Sequence, residues 1–284
     1  MQLYKTIIHF FPDLFERIEE IEDYRNKFEY ELVELIVACI FMMMVKSGSR
    51  NAFNNYKYTA SFEKNYRKLF KMRIPHMDTV NNVMCKIAQN ELELLKAHMI
   101  RTLLIKKVFH KFRLFNKYFM IAIDGTGIMS FSERHCDHCL TKTSKKGKTT
   151  YFHNVLEAKL ICSNGIAISL MTEWIENPEG DFEKQDAELK AFLRLASKLH
   201  KMYPRLPICI TADGLYPNQT FFSVCKKYNW RYIVTFKDGN LPSVWNEVKM
   251  LREITSDNSY KETKVIKKDR ICSKYTWINE IDYK

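Results

Sequence analysis

The chain is predicted to be a mixed α/β protein, with an all-helical N-terminal domain over residues 1–115 and a mixed β-sheet flanked by helices over 116–284. Three observations carry that expectation. Apolar residues recur at helical spacing up to about residue 115. From Tyr118 onward the pattern changes to short β-leaning runs. The later segments then follow the order strand, hairpin, helix, strand, helix, strand, helix, and strands that lead into helices imply right-handed crossovers with helices on the sheet faces.

In the first domain, Glu31 to Val45 reads as an apolar helix entered from the charged stretch Glu16 to Arg25. Its apolar run, Leu35 to Val45, is too short to span a bilayer, so a buried helix is expected. Ser61 is a candidate N-cap for a helix carrying Phe62, Tyr66, Leu69 and Phe70 on one face. Pro75 breaks the chain, Asp78 or Thr79 can cap the next helix, and Val80, Val83, Met84 and Ile87 follow at helical spacing. A further helix is expected from about Glu91 to Phe109, with Leu92, Leu95, Met99 and Leu103 along it.

In the second domain, Tyr118 to Ile123 is a strand expected to end on Asp124. Val155 to Ile161 and Ile166 to Met171 flank the turn Cys162-Ser163-Asn164-Gly165 and read as an antiparallel hairpin. A helix over Phe182 to Tyr203 has the stripe Leu189, Phe192, Leu193, Ala196 and Leu199. Pro207 to Ala212 is a strand ending on Asp213-Gly214. Gln219 to Tyr228 (helix), Trp230 to Phe236 (strand), Leu241 to Arg252 (helix) and the strand-like Tyr275 to Ile281 complete the chain.

The composition bounds the function. Hydrophobic residues make up 46% and charged residues 27%, while 8 Gly and 7 Pro argue against wholesale disorder. The net charge of +12 favours a polyanionic partner, because each cation near a phosphate gains from counterion release. Met1 to Phe15 does not read as a signal peptide, and the eight Cys are scattered, so free thiols and a cytoplasmic, nucleoid-associated location are expected, with no membrane contact.

Two aspartates are the leading candidates for chemistry. Asp124 and Asp213 each close a predicted strand and each precede a glycine. On neighbouring strands their carboxylates would converge at the edge of an open sheet where ligands bind. Oxygen ligands with open positions suit Mg²⁺ or Mn²⁺, and such a site supports two-metal phosphoryl transfer. The bland alternative is that each Asp-Gly is a turn.

The motifs around these residues resemble a known family. Ile121-Ala122-Ile123-Asp124-Gly125-Thr126 resembles the first catalytic motif of DDE transposases of the insertion-sequence-four type, in particular their H-repeat-associated relatives. His153-Asn154-Val155 with Glu157-Ala158 resembles the second strand, and Lys184-Gln185-Asp186-Ala187-Glu188 the start of the long helix. Thr211-Ala212-Asp213-Gly214, with Gln219 after it, resembles the second catalytic motif, and Tyr232 to Asp238 the strand ending on a lysine. Ile74 to Val80 resembles the linker motif of the helical domain. The resemblance implies an RNase H-like fold, double-stranded DNA at transposon ends as the partner, and metal-dependent cleavage and strand transfer. A homodimer is compatible with it. It also implies that Asp124 and Asp213 are the first two acids of the triad, and that residues from about 256 to 284 begin a β-rich insertion.

The third acid does not carry over. The family's helix reads Tyr, two residues, Arg, three residues, Glu, six residues, Lys, and no such string occurs here. Glu247 is the in-chain acid at a suitable topological place, with a solvated helix carboxylate as its bland alternative. Two aspartates fix one cation well and a second poorly. Residues 1–284 alone are therefore expected not to cleave DNA at a useful rate, and to act as a truncated DNA-binding fragment or a decayed frame in the competing readings.

A second constellation is His135-Cys136-Asp137-His138-Cys139 with His153 downstream, which has the residue types and spacing of a Zn²⁺ site completed by His135 or His138. Free thiols and surface histidines on a hairpin are the alternative. The loop Lys142, Lys145, Lys146, Lys148 can track a DNA backbone, and Lys237 is a candidate phosphate contact.

Overall fold

A computed structural model describes residues 2–177, 187–237, 239, 241–254, 258–266, 269–279 and 281. The N-terminal part is helical: α1 (Gln2–Phe10), α2 (Leu14–Glu19), α3 (Leu32–Met44), α4 (Arg50–Lys57), α5 (Ala60–Phe70), α6 (Met77–Met84) and α7 (Gln89–Ile105). Helix α3 lies at its centre, buried from Leu32 through Ala38 and again at Phe41. Its entry is fixed by Glu34, which accepts from Glu31 N at 3.0 Å and from Arg73 N, Nε and Nη2 at 3.0, 3.1 and 2.8 Å. That carboxylate satisfies a first-turn amide of α3 and ties the chain ahead of α6 to the same point. The rings of Phe41, Phe53, Tyr66 and Phe70 pack edge-on and tilted around it.

Two expected caps are corrected. Helix α5 begins at Ala60, so Ser61 lies inside its first turn, and the Thr59 hydroxyl at the boundary donates to Tyr56 O at 2.6 Å. Helix α6 begins at Met77 with His76 as N-cap, its Nδ1 accepting from Asp78 N at 3.4 Å. Helix α7 serves two cores, with Leu95 in the helical cluster and Ile100 in the cluster around the sheet. It also bonds the sheet directly: Lys96 Nζ donates to Ser169 Oγ at 3.0 Å, and Glu93 Oε1 accepts from Thr172 N at 3.1 Å.

After a 3₁₀ turn at His110–Phe112 come β1 (Phe119–Phe131), β2 (Leu140–Thr143), β3 (Thr149–Ile161) and β4 (Ala167–Ile175). Then follow α8 (Glu188–Met202), β5 (Ile208–Ala212), α9 (Gln219–Lys227), β6 (Arg231–Val234) and α10 (Pro242–Ile254), and last β7 (Ser259–Ile266) and β8 (Asp269–Thr276). One six-stranded sheet has the path β2-β3-β1-β5-β6, with β4 also on β3. Strand β3 is antiparallel to β1 and β4, while β5 and β6 run parallel to β1. The fold is therefore a mixed α/β sheet flanked by helices and preceded by a helical region. Strands β7 and β8 pair only with each other within the described residues. Among the described residues no helix is long and apolar enough to cross a membrane.

Strand β1 does not end on Asp124. It continues to Phe131, pairing with β3 throughout, and Gly125-Thr126-Gly127 lies inside the ladder just ahead of a bulge. The extension is possible because β3 starts early, at Thr149, and offers partners out to Tyr151. Helix α8 buries Ala191, Phe192, Leu195, Ala196 and Leu199, whereas Leu193 of the expected stripe is exposed. At about 100° per residue, Leu193 falls outside the arc that those five share. The expected start of this helix at Phe182 lies outside the described residues. Helix α8 is fastened to β4 by Glu173, a buried carboxylate that accepts from Arg194 Nε at 2.6 Å and Lys198 Nζ at 2.5 Å.

Candidate functional site

Register brings the two aspartates together. On neighbouring parallel strands Ile121 pairs with Ile210 and Ala122 with Thr211. The same register carried two residues further makes Asp124 level with Asp213, the residue just past the end of β5. Across the antiparallel edge Asp124 faces Glu157, whose Oε2 accepts from Thr172 Oγ1 on β4 at 2.9 Å. Asp213 follows the last residue of β5 and is held in an Asx turn, Oδ1 accepting from Leu215 N at 2.9 Å. Both aspartates are exposed, so their carboxylates are open to solvent and to ligands.

Glu188, the first residue of α8, is a carboxylate that the sequence reading assigned no chemistry. A β-carbon on Gly125 would lie 2.7 Å from Glu188 Oε2. A glycine beside Asp124 is thus what lets a helix-borne carboxylate reach β1. The buried hydroxyl of Tyr216 donates to Glu188 Oε1 at 2.6 Å. Burial first, then the Glu188 hydrogen bond and the negative charges of Glu188, Asp213 and Asp124, push the Tyr216 hydroxyl above its ordinary pKa. The tyrosine therefore stays a protonated donor to Glu188.

Lys237, just past β6, pairs with the second aspartate: its Nζ is 3.4 Å from Asp213 Oδ2. A β-carbon on Gly214 would come within 2.6 Å of the Lys237 stem. Neither Gly125 nor Gly214 adopts a positive φ, so what distinguishes both is the close approach of a side chain rather than a turn. Glu247 sits half-buried on α10, and its carboxylate makes no hydrogen bond or ion pair among the described residues. Lys142, Lys145, Lys146 and Lys148 are all exposed on the β2–β3 hairpin, whose tip is closed by Gly147 at φ 80° and by Ser144 N donating to Lys148 O at 2.9 Å.

The thiol–imidazole cluster forms apart from the carboxylates. Cys136 Sγ and Cys139 Sγ are 3.9 Å apart, and His153 Nε2 lies 3.3 Å from the first and 3.4 Å from the second. Cys139 and His153 are buried. Among the described residues this is the one group of three or more Cys, His, Asp or Glu whose donor atoms all lie within 4.8 Å of one another, so it can hold a metal ion. His135 is outside it, stacked on Phe131 with centroids 4.4 Å apart. His138 is also outside it, with Nδ1 2.9 Å from Asn177 O. The carboxylates around Tyr216 stand farther apart than the members of this trio.

Neither a scan of protein-family models nor a search of curated proteins finds a match to this chain.

Proposed function

We propose that the chain is a DDE transposase of the insertion-sequence-four type, an RNase H-like protein that acts on phosphodiesters of double-stranded DNA. The observation that carries this reading is the level placement of Asp124 and Asp213 on adjacent parallel strands, with Glu188 reaching in over Gly125. The sheet supports it: four strands in antiparallel pairings, β1 to β4, are followed by two that run parallel to β1, with helices α8 and α9 in the connections. The net charge of +12 and the lysine hairpin supply the polycationic surface that a DNA backbone needs.

The donor set fits Mg²⁺ or Mn²⁺. It consists of carboxylate oxygens from three separate elements, and their spread suits ions about 3.5–4 Å apart better than one closed cage. When bound there, such ions supply activation of the attacking oxygen and neutralise charge on the leaving one. The protein's own part is positional. Asp124 and Asp213 hold the cations, and Tyr216 fixes the rotamer of Glu188, which supplies the third carboxylate that two aspartates lack. Lys237 exchanges Asp213 for a phosphate oxygen as DNA arrives. The thiol–imidazole cluster, with softer donors, suits Zn²⁺ and stands outside this chemistry.

A DNA-binding protein that does not cut is the second reading, favoured by the Lys237–Asp213 pair, in which an ammonium already offsets one carboxylate. The test is strand cleavage with Mg²⁺ or Mn²⁺ on a duplex carrying the ends of the element that encodes the chain. Because Glu188 adds a third carboxylate to the two aspartates, metal-dependent cutting, lost in Asp124→Asn and Asp213→Asn, replaces the inactive fragment as the expected result. Retention of the duplex without cutting in either metal assigns the second reading.

A further inference from the structure

We propose that Cys136, Cys139 and His153 bind one Zn²⁺ ion as a structural clamp that holds the turn 136–139 against Asn177, the residue at which the crossover from β4 to α8 departs. The inference concerns the cluster alone and rests on its reading as a zinc site, not on the DNA reading.

The spacing is the first argument. With Zn–S near 2.3 Å and Zn–N near 2.0 Å, a tetrahedral ion spreads two sulfurs to about 3.8 Å and each sulfur–nitrogen pair to about 3.5 Å. The three separations here are 3.9, 3.3 and 3.4 Å. A disulfide would need sulfurs about 2 Å apart, and would leave the imidazole no reason to approach both.

The turn itself is the second argument. The turn is closed on itself, with Cys139 N donating to Cys136 O at 3.3 Å. Two separate elements converge on the ion: the turn 136–139 supplies the two sulfurs, and β3 supplies His153. The fourth tetrahedral position is left to a donor beyond the trio. His138 does not fill it, because its ring lies outside the trio with Nδ1 on the Asn177 carbonyl.

Asn177 gives the clamp its consequence. It is almost wholly buried, yet every polar group it presents to the turn is matched. Its Nδ2 donates to Cys139 O at 3.1 Å, its N to His138 O at 3.3 Å, and its O accepts from His138 Nδ1 at 2.9 Å. The chain leaving β4 is thus bonded to the metal turn just before it crosses to Glu188 on α8. An ion that orders the turn also orders that departure point.

The experiment is elemental analysis of the full chain, purified without an affinity tag or chelator, combined with amide exchange before and after zinc is stripped. One zinc per chain is expected, falling to none in Cys136→Ser. Exchange should then rise at 136–139 and at 174–177 while α3 stays protected. Cys136 is only half-buried, so this variant is preferred over Cys139, and protection of α3 reports that the variant has folded. A folded, zinc-free protein with both thiols freely alkylated overturns the zinc site. One bound zinc whose removal leaves exchange at 174–177 unchanged overturns the clamp while keeping the site.

Discussion

The hydroxyl of Tyr216 donates to Oε1 of Glu188 at 2.6 Å, and the other oxygen of that carboxylate occupies the place a β-carbon on residue 125 would take. A fully buried tyrosine after β5 and a glycine within β1 thereby fix the same glutamate from two sides. Replacing Tyr216 with Phe removes the only polar atom of a buried ring. The expected cost in stability is about 1–3 kcal/mol, because Glu188 loses its donor while the ring packing remains. Affinity for Mn²⁺ is expected to fall about 10–100-fold, as it does when a residue that orients a ligand is removed. A titration monitored by Mn²⁺ resonance checks this, and unchanged affinity would separate Glu188 from the cation site.

Gly125→Ala tests the other side of that arrangement. The added carbon meets the far end of a flexible side chain, so the fold is expected to tolerate it with a change within ~1 kcal/mol. The carboxylate, however, must move away from β1. Thermal melting nearly unchanged, with Mn²⁺ affinity reduced, is the expected pair of results. Melting strongly lowered with affinity intact would make this glycine a packing residue only.

DNA binding is expected to weaken steeply with salt. Each phosphate neutralised contributes a slope of about −0.9 in log affinity against log salt. Replacing Lys145 and Lys146 by Ala is expected to flatten that slope by about 2, since both are exposed at the hairpin tip. Fluorescence anisotropy with a duplex of arbitrary sequence measures it, and a slope unmoved by the double substitution would clear the hairpin of any backbone contact.

Acid stability gives a check on the helical part. Burial alone would raise the Glu34 carboxyl, but the hydrogen bonds from Arg73 and the Glu31 amide outweigh it and hold it below the ordinary value of 4.5. A carboxylate depressed in the folded state contributes stability fully present above its unfolded pKa and lost as pH falls through its folded one. Wild-type stability should therefore drop below about pH 4.5, and Glu34→Gln should flatten that drop while lowering stability at neutral pH. Urea melts between pH 3 and 7, set by the same linkage relation, measure both.

Periodicity made most of the fold legible. The switch at Tyr118 and the run of strands and helices after it correspond to real elements because each has an apolar face to bury. What stayed hidden depended on long-range contact. Asp124 read as a strand end because Gly125-Thr126-Gly127 has turn composition, yet those glycines stay in the ladder, one of them to admit Glu188. The caps at Thr59 and His76 were missed because Ser61, Asp78 and Thr79 are the stronger local cappers. Asp124 and Asp213 stood out by being strand-end acids in a repeated dipeptide. Glu188 looked like an ordinary first-turn carboxylate, and only the Gly at 125 and the Tyr at 216, distant in sequence, mark it as more. Cys136, Cys139 and His153 were legible from residue type and spacing, whereas the part played by Asn177 was not, since a lone Asn after a strand carries no signal.

The two glutamates make opposite predictions for cleavage. Glu188 lies against Gly125, the residue after Asp124, and is oriented by Tyr216. Glu247 lies on α10, a helix with no buried residue, and nothing among the described residues orients it. Catalysis through two cations needs carboxylates held at fixed positions, because a ligand free to rotate loses the preorganisation that separates tight from loose binding. Glu188→Gln is therefore expected to abolish metal-dependent cutting of the element's ends while leaving DNA affinity in place. Glu247→Gln is expected to leave the rate within about twofold, the range of an uninvolved surface residue. The reverse pattern would hand the third acid to Glu247 and reduce Glu188 to a partner for Tyr216. If the wild-type chain cuts in neither metal, Mn²⁺ affinity decides the same question. Loss in Glu188→Gln and Asp124→Asn but not in Glu247→Gln supports the site around Tyr216, and equal affinity in all three refutes it.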